Sequence, residues 1–512
     1  MRQIVWYLTF ISLLNIGCRA ESGNTGKEWK NIRTPAVSGA FYPDDPVKLE
    51  AAIRGFIEDA VKPQTGKPLA IIAPHAGYIY SGQISADAYH QASDHKYDVV
   101  VILGTNHTTA GFNGVSVYRG NGYKTPLGVA EIDREIVSKL LHQDPRFYYD
   151  ERLHQKEHSV EVQVPFVQVL FPGMKIVAAV IGSPDIDMCR DFAKLLAESL
   201  SNRNALIIAS SDLSHYPQYE YARDVDRKTL DAIETFDPVK VQESIAELEK
   251  SGTTQLSTCA CGEAPIITAM MTAKLLGATR AKAVSYANSG NVLVGNKSRV
   301  VGYGAVSMFK DGDQTEEKPD RSGFSPSTNH EELSEDDRKA LLKLARNTII
   351  RYLESETLPL LRDNLACYRL KRGVFVTLNK DGQLRGCIGH MTDELPLNEV
   401  VARMAIQAAF NDYRFDAVKL EEMKDIKIEI SVLTPYERIA APDEIVVGRD
   451  GVMIQKAGHS AVYLPQVAPE QGWNREQTLN HLCKKAGLPE SGWREGAELF
   501  TFKAIVFHES DD

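Results

Sequence analysis

Residues 99–107 have the sequence Val-Val-Val-Ile-Leu-Gly-Thr-Asn-His, an apolar, β-branched run that leads to a histidine. The pattern recurs in residues 69–75, Leu-Ala-Ile-Ile-Ala-Pro-His, and in residues 205–215, where Ala-Leu-Ile-Ile-Ala precedes Asp212 and His215. Short runs of this kind are typical of strands buried on both faces, so we expect a mostly parallel central sheet. Open α/β sheets bind ligands outside the carboxyl ends of their strands, where these side chains would lie. The pattern therefore predicts a metal site at one edge of the sheet.

The length and composition are those of a globular protein with more than one domain. The chain has 512 residues, of which 43% are hydrophobic and 25% are charged, and this is enough for two or three domains with substantial cores. The formal net charge of −10 argues against nucleic acid as a partner. No run of eighteen apolar residues follows the N-terminal segment, so no internal membrane span is expected.

The first eighteen residues have the pattern of a secretory signal peptide. Arg2 precedes an apolar stretch at 4–14, and a glycine and Cys18 close the segment. Gly-Cys at this point resembles a bacterial lipoprotein cleavage site, which would leave a lipid on Cys18. We therefore expect a lipoprotein-type signal peptide at 1–18 and a polar tether at 19–33. The mature protein would be anchored to a membrane, facing the periplasm or the exterior. A plain signal peptide or a misassigned start codon, and a cytoplasmic protein, are the alternatives.

A charged, Pro- and Ser-rich segment at 311–332 separates two patterns of secondary structure. It has almost no apolar residues, so we expect a linker. Before it, at 34–310, strands alternate with helical stretches, which predicts an α/β domain whose mostly parallel sheet is flanked by helices. After it, at 333–510, a helix capped by Ser334 precedes a hairpin around Asp381-Gly382. This second pattern predicts a separate α+β domain.

A cysteine adds to the strand-end residues of the first domain. Cys261 precedes Pro265, a residue that suits the first turn of a helix. Helix N-termini favour anions and lower the pKa of a thiol, so Cys261 is expected to be a thiolate and therefore a metal ligand. Cys259, two residues earlier, is expected to be structural.

Six segments within residues 34–310 together resemble one family, the Memo proteins, which are relatives of the class III extradiol dioxygenases. The segments follow the family's order and are Ala73-Pro-His-Ala-Gly-Tyr-Ile-Tyr-Ser-Gly82, Gly104-Thr-Asn-His107, Thr125-Pro-Leu-Gly128, Glu157-His-Ser-Val-Glu-Val-Gln-Val-Pro165, Ser210-Ser-Asp-Leu-Ser-His215 and Cys261-Gly262. The resemblance implies an extradiol dioxygenase class III-like fold for this domain. It also implies that His75, His107 and Cys261 coordinate a metal. Four further residues would surround that site, with Asp212 and His215 beside the metal and His158 and Glu161 along the same cleft.

The implied ligand set constrains the chemistry. Two imidazoles and one anionic ligand are how proteins hold non-haem Fe²⁺ for oxygen chemistry, so Fe²⁺ is the first expected cofactor. In extradiol dioxygenases the third ligand is a carboxylate, whereas here the thiolate of Cys261 replaces it. Sulfur is a softer ligand, so Cu⁺ and Zn²⁺ are the alternatives, and dioxygenase activity does not follow from the site alone. His215 is the acid/base candidate because imidazole titrates near neutral pH, and Asp212 would orient a ligand histidine.

The string Leu384-Arg-Gly-Cys-Ile-Gly389 is the most distinctive feature after the linker. On a strand, Arg385 and Cys387 share a face, and a nearby arginine lowers the pKa of a thiol. With His390 next in sequence, a nucleophilic thiol or a small-ligand site is one interpretation. The other is a packed strand whose glycines allow close approach of the backbone. The string resembles the AMMECR family together with three further segments, Ala408-Ala-Phe-Asn-Asp-Tyr-Arg-Phe415, Ile428-Glu-Ile-Ser-Val-Leu-Thr-Pro435 and Leu464-Pro-Gln-Val467.

Families of these two types are encoded together with a radical SAM protein in the AmmeMemoRadiSam system, and this chain resembles a fusion of its components A and B. It lacks a Cys-x₃-Cys-x₂-Cys iron–sulfur signature, so the radical SAM protein would be a separate partner. Three functions follow as hypotheses. The first is a metal-dependent oxidoreductase that acts on a small substrate, and the second is a non-catalytic metal-binding or redox component of that system. The third is a zinc hydrolase, since zinc sites with three protein ligands accept Cys and His.

Overall fold

The computed structural model of this chain describes residues 31–312, 333–362 and 365–510. The expected signal peptide at 1–18, and most of the expected tether at 19–33 and linker at 311–332, lie outside the described residues. Ile32–Arg33 already forms a strand in which Arg33 is buried, so the first fold begins before residue 34. Among the described residues, the helices are all too short or too polar to span a bilayer.

The first half of the chain alternates strands with helices, as the sequence predicts. Its strands are β1 (Ile32–Arg33), β2 (Pro68–Ala73), β3 (Val99–Thr105), β4 (Val115–Val117), β5 (Gly122–Thr125), β6 (Gly128–Glu131), β7 (Phe147–Tyr148), β8 (Ile176–Ile181), β9 (Ala205–Ser210), β10 (Arg280–Asn288) and β11 (Gly302–Phe309). Its helices are α1 (Pro46–Glu58), α2 (Tyr78–His90), α3 (Arg134–Gln143), α4 (Glu151–Gln155), α5 (Val164–Leu170), α6 (Ile186–Ser199), α7 (Tyr219–Glu234), α8 (Pro238–Lys250) and α9 (Glu263–Leu275).

An eight-stranded sheet forms the centre of this half, in the order β10-β11-β2-β9-β3-β8-β4-β7. The neighbours β2–β9, β9–β3 and β3–β8 are parallel, whereas β10, β11 and β4 run antiparallel to a neighbour. Every residue of β3, β8 and β9 is buried, because helices cover both faces of a parallel sheet. The predicted α/β class is therefore confirmed. Since β2, β3 and β9 run in one direction, their carboxyl ends meet at the same edge of the sheet.

The second half contains two four-stranded antiparallel sheets, β13-β12-β14-β19 and β15-β18-β16-β17. This confirms the predicted α+β class, and the predicted hairpin turn has Asp381 and Gly382 at positive φ values of 52° and 73°. Its strands are β12 (Val374–Lys380), β13 (Gln383–His390), β14 (Ile426–Leu433), β15 (Glu437–Ile439), β16 (Gly451–Lys456), β17 (His459–Tyr463), β18 (Glu498–Phe502) and β19 (Ala504–His508). Its helices are α10 (Glu335–Ser355), α11 (Leu397–Phe410), α12 (Val467–Glu470) and α13 (Arg475–Lys485).

Ionic contacts join the two halves, and one of them involves a buried carboxylate. The Arg362 guanidinium donates to both carboxylate oxygens of Asp87, at 3.0 and 2.9 Å, and Asp87 is fully buried in α2. Arg351 of α10 donates to the Gly55 carbonyl of α1 and pairs with Asp59 at 2.5 Å. A buried carboxylate that depends on an arginine from the other half ties the stability of the first half to the second.

Candidate metal centre

Three residues from different elements meet at the carboxyl edge of the central sheet. His75 follows β2, His107 follows β3, and Cys261 lies just before Gly262, the N-cap of α9. One ligand atom from each of these three side chains lies within 4.8 Å of the other two. His75 Nε2 and Cys261 Sγ are 3.2 Å apart. The structure thus brings together the three residues that the sequence singles out as metal ligands.

A serine fixes the orientation and the tautomer of His75. The Ser210 hydroxyl donates its one proton to the Ser159 carbonyl at 2.6 Å, so its oxygen can only accept from other groups. It accepts from Gln163 Nε2 at 2.9 Å and faces His75 Nδ1 at 3.0 Å, which therefore carries the imidazole proton. Burial lowers the pKa of His75 well below its ordinary value and keeps the ring neutral. The lone pair of Nε2 is thereby directed at Cys261.

Glu157 orients His107 in the same manner. Its Oε1 accepts from His107 Nδ1 at 2.9 Å, and its Oε2 accepts from the His107 backbone N–H at 2.6 Å. Burial opposes ionisation of Glu157, but the hydrogen bond and charge of His107 outweigh it and lower the pKa of Glu157 to about 2. The same pair raises the pKa of His107 above its ordinary value against the effect of burial. The remaining nitrogen, Nε2, is left for a ligand, which is the arrangement of carboxylate-bound histidines at metal sites.

Sequence reasoning missed Glu157 as a site residue. The glutamate lies inside a quoted segment and directly before His158, and a buried carboxylate beside a ligand histidine is a recurrent partner in metal sites. That signal could have identified it. Glu161 of the same segment carries the same charge, and it is the residue that the family resemblance places in the cleft.

The ionisation of Cys261 differs from the prediction. Helix α9 begins at Glu263, so Cys261 lies outside the first turn, where the helix dipole acts most strongly. Burial, and next the charge of Asp212, raise the pKa of Cys261 well above its ordinary value. The thiol therefore keeps its proton until a cation binds, because thiolate ligands form when a metal displaces that proton. Gly262 allows the loop that contains Cys261 to lie close to the end of β9, since a Cβ at residue 262 would lie 2.5 Å from the Ser210 carbonyl oxygen.

Asp212 and His215 lie next to the ligand atoms, in roles that differ from the expected ones. Asp212 Oδ1 accepts from the backbone N–H groups of His75 and Ala76, at 2.8 and 3.2 Å, so it holds the loop of His75 rather than its ring. One ligand atom each from Asp212, His215 and Cys261 lies within 4.8 Å of the other two. Burial lowers the pKa of His215 to about 4, so its imidazole is neutral at neutral pH. Its Nε2 is buried and has no hydrogen-bond partner within the described residues.

Of the two residues predicted to line the cleft, only His158 does so. The His158 ring stacks on His107 with a centroid distance of 4.5 Å and lies edge-on to His75 at 5.4 Å. Glu161, in contrast, is fully buried and accepts from Arg33, from Tyr42 and from two backbone N–H groups. The prediction for Glu161 is wrong because the buried Arg33 guanidinium and these donors use both of its carboxylate oxygens.

In the second half, Arg385 is not the partner of Cys387. The Arg385 guanidinium donates to the two oxygens of Glu422, at 3.2 and 3.0 Å. Arg385 is the extra residue of a β-bulge, since Leu384 and Gly386 pair with consecutive residues of β12. A Cβ at Gly386 would lie 2.2 Å from the Ala408 carbonyl oxygen of α11. Strand β13 therefore fits the second interpretation of its sequence, a packed strand whose glycines allow close approach of the backbone.

Cys387 and His390, the other two residues of the nucleophilic-thiol or small-ligand interpretation, also have separate partners. Cys387 Sγ accepts from Thr377 Oγ1 at 3.2 Å, and His390 Nε2 is hydrogen-bonded to Thr392 Oγ1 at 2.8 Å. Cys387 and His390 are three positions apart on β13, so their side chains point to opposite faces of the sheet. The structure does not bring Arg385, Cys387 and His390 into one group.

Comparison with known proteins gives the same division of the chain. The model of the Memo-like protein family matches residues 33–307, and the AMMECR1 family model matches residues 342–507. A MEMO1 family protein from Methanothermobacter thermautotrophicus is 35% identical over 286 residues, which cover 54% of this chain and 100% of that protein. Another, from Aquifex aeolicus, is 38% identical over 273 residues, covering 53% of this chain and 97% of the relative.

One solved structure is also similar in sequence. An uncharacterized protein from Pyrococcus horikoshii is 39% identical, and the match covers 35% of this chain and 94% of that protein. Its TM-score is 0.33, too low to support a structural argument.

Proposed function

This chain belongs to the Memo-like protein family through residues 33–307, and from that premise we propose that it binds one redox-active metal ion with His75, His107 and Cys261. The main support is the direction of the two histidines. Hydrogen bonds from Nδ1 to Ser210 and to Glu157 leave both Nε2 atoms for a ligand beside the cysteine sulfur. Imidazoles held in this manner by a second group are typical of metal sites.

Fe²⁺ is the proposed ion, with Cu⁺ and Zn²⁺ as the alternatives that a sulfur ligand allows. The donor set fits a cation, because a bound metal would displace any proton on His107 Nε2 and the proton of the Cys261 thiol, so that two neutral imidazoles and one thiolate would contribute one negative charge. A bound Fe²⁺ would supply one-electron or oxygen chemistry at this position.

The proposed reaction class is oxidoreduction of a small substrate, and His215 supports it. A buried nitrogen without a hydrogen-bond partner costs about 1–3 kcal/mol, so such a group is commonly retained for a ligand. His215 Nε2 is in this state beside the ligand atoms. The low pKa of His215, about 4, keeps its imidazole neutral at neutral pH, so the free nitrogen is available to accept a hydrogen bond from a substrate hydroxyl or from water. His158, whose pKa burial also lowers to about 4, stacks on His107 and lies edge-on to His75.

Metal titration of the full chain under anaerobic conditions tests the binding site. Cys261→Ala and His107→Ala are each expected to weaken Fe²⁺ binding at least about 100-fold, since each removes one of three ligands. Cys259→Ala is the matched control, because Cys259 is buried two residues away and is not among the clustered ligand atoms. Equal losses in the two cysteine variants would contradict the ligand assignment.

Oxygen uptake by the Fe²⁺-loaded chain tests catalysis. Uptake is expected with a catechol or a small reductant, and it should fall at least tenfold in His215→Ala while Fe²⁺ binding stays within about threefold. Tight binding without uptake for any such compound would instead support a non-catalytic metal-binding component. Hydrolytic activity that persists with Zn²⁺ would support a zinc hydrolase.

A further inference from the structure

A long groove lies between helix α10 and the outer edge of strand β19, in the second half of the chain. Its volume is about 930 Å³, and residues 506–510 of the strand and its continuation form one side. Helix α10 forms the opposite side, and the segment 423–427 contributes to the groove at one end. None of its lining residues belongs to the histidine cluster. The groove is therefore independent of the proposed metal site.

Strand β19 presents unpaired backbone groups to this groove. It is the last strand of its sheet and pairs on one side with β14, and no other strand of the described residues pairs with its outer edge. The Glu509 N–H donates to Ile428 and the Thr434 N–H donates to Lys503, so the odd-numbered residues of β19 make the ladder hydrogen bonds. In an antiparallel pair the alternate residues point their N–H and C=O groups the other way. Those of Val506 and His508 consequently face outward, as a template for one more strand.

The two faces of such an added strand would meet different surroundings. Val506 pairs with Ser431, on the face opposite the helices, and its side chain is 49% exposed. On the other face, helix α10 supplies Arg338, Lys339, Lys343 and Arg346 to the groove. Across the whole lining, six of the sixteen residues are lysine or arginine and two are glutamate. This local excess of positive charge contrasts with the net charge of −10 for the whole chain. Side chains of an added strand alternate between these two faces.

We propose that β19 and α10 bind an extended acidic peptide of a partner protein, which adds a fifth strand to the sheet β13-β12-β14-β19. Its alternate acidic side chains would contact the basic residues of α10, and the intervening β-branched side chains would pack beside Val506. Main-chain hydrogen bonds supply the affinity in this mode of recognition, and the alternating side chains supply the specificity.

The probe is a fluorescein-labelled, acetylated and amidated eight-residue peptide of alternating glutamate and valine, titrated into the full chain. We expect saturable binding that weakens as salt is raised, because the contacts on the α10 face are exposed ion pairs. A Lys–Val peptide of the same length should bind at least tenfold more weakly. Amide hydrogen exchange at 504–508 should slow when the Glu–Val peptide is bound, since the outward N–H groups then become hydrogen-bonded.

Two variants separate the contributions of the backbone and the charge. Val506→Pro removes an outward N–H that the ladder does not use and should weaken binding at least tenfold, whereas Val506→Thr keeps the N–H and should stay within threefold. Lys343→Glu reverses one exposed charge on α10 and should weaken binding at least fivefold. Lys240→Glu, an equally exposed lysine on α8, should have no effect. If Val506→Pro fails to fold, Lys343→Glu decides.

Three results would overturn the proposal. The first is equal binding by wild type, Val506→Pro and Lys343→Glu, and the second is equal binding of the Lys–Val peptide. The third is a single-stranded oligonucleotide that binds the groove more tightly than the Glu–Val peptide and displaces it, because the groove would then be a nucleic-acid site. Loss of metal binding in the variants of His107 or Cys261 leaves this experiment unaffected.

Discussion

The Glu157→Gln variant tests whether the carboxylate behind His107 sets the strength of metal binding. Glu157 is 1% exposed, and its Oε1 accepts from His107 Nδ1 and from the backbone N–H groups of His158 and Ser159. Its Oε2 accepts from the His107 backbone N–H at 2.6 Å. Glutamine has one acceptor oxygen where glutamate has two. With its NH₂ group in the position of Oε2, that group would face the backbone N–H of His107, and two hydrogen-bond donors would meet without an acceptor.

Two separate effects follow from this geometry. One buried donor is left without an acceptor, which should cost the metal-free protein about 1–3 kcal/mol of unfolding free energy. The His107 ring also loses the negative charge that increases its basicity, which should weaken Fe²⁺ binding about 10–100-fold, or about 1.4–2.7 kcal/mol. The difference in unfolding free energy between wild type and Glu157→Gln should shrink at low pH. A carboxylate whose pKa is lowered by folding stabilises the folded state at pH values above its pKa in the unfolded chain, and Glu157 loses that contribution as the pH falls toward about 2.

Competition between the protein and a chromophoric Fe²⁺ chelator, under anaerobic conditions, measures the affinity directly. The matched controls are Glu161→Gln, which changes another buried carboxylate four residues away, and the milder Tyr42→Phe, which removes one of its hydrogen bonds. Both should lower the unfolding free energy and leave Fe²⁺ affinity within about threefold, since neither group contacts the histidines through a hydrogen bond. Fe²⁺ affinity within twofold of wild type in Glu157→Gln, or an equal loss in Tyr42→Phe, would refute the reasoning.

Three further changes have expected outcomes in thermal or denaturant unfolding of the metal-free chain. Burial raises the pKa of Asp226 to about 7, so the folded state binds the proton of this carboxyl more tightly than the unfolded state does. The unfolding free energy should therefore fall as the pH rises from about 4 to about 7, and Asp226→Asn should flatten that decline. Arg362→Ala leaves Asp87 as a buried charge without its arginine and should cost about 3–5 kcal/mol. Gly386→Ala places a Cβ 2.2 Å from the Ala408 carbonyl oxygen and should cost at least about 2 kcal/mol.

Each of these variants has a control in the same chain. Asp231→Asn changes an exposed carboxylate of the same helix and should leave the pH profile unchanged. Lys48→Ala removes an exposed ion pair between the two halves and should cost about 0–1 kcal/mol. A Cβ at Gly55 would meet nothing nearer than 4.0 Å, so Gly55→Ala should be neutral or stabilising. The first prediction would be contradicted if the unfolding free energies of Asp226→Asn and wild type changed with pH in parallel. The other two would be contradicted if Arg362→Ala cost no more than Lys48→Ala, or Gly386→Ala no more than Gly55→Ala.

The fold class and the meeting of the two ligand histidines were accessible from the sequence because both follow from strand direction. Parallel strands end at one edge, so the positions of His75 and His107 relative to their strands were sufficient to place them together. The position of Cys261 required more, since it lies in the loop before α9 and follows no strand, and the close approach of that loop to the end of β9 at Gly262 is visible only in the structure. The family resemblance, rather than the pattern alone, supplied that residue.

The errors have a common physical origin in the partners of buried charges. Glu157 and Glu161 are alike in sequence, and only the structure shows that one contacts His107 and the other contacts Arg33. The same holds for Arg385, whose partner Glu422 is distant in sequence. Local spacing indicates which face a side chain occupies, but a pairing across the fold depends on distances that no local pattern contains.

The protonated state of Cys261 affects how the metal-free protein tolerates oxidants. The thiolate form of cysteine is the nucleophile that attacks peroxides and disulfides, and burial and the charge of Asp212 suppress that form here. The metal-free chain should therefore withstand air, and a peroxide-sensitive sulfur should arise only with metal loading. Exposure of the metal-free chain to an oxidant should leave the site able to bind metal afterwards, because no disulfide forms there first.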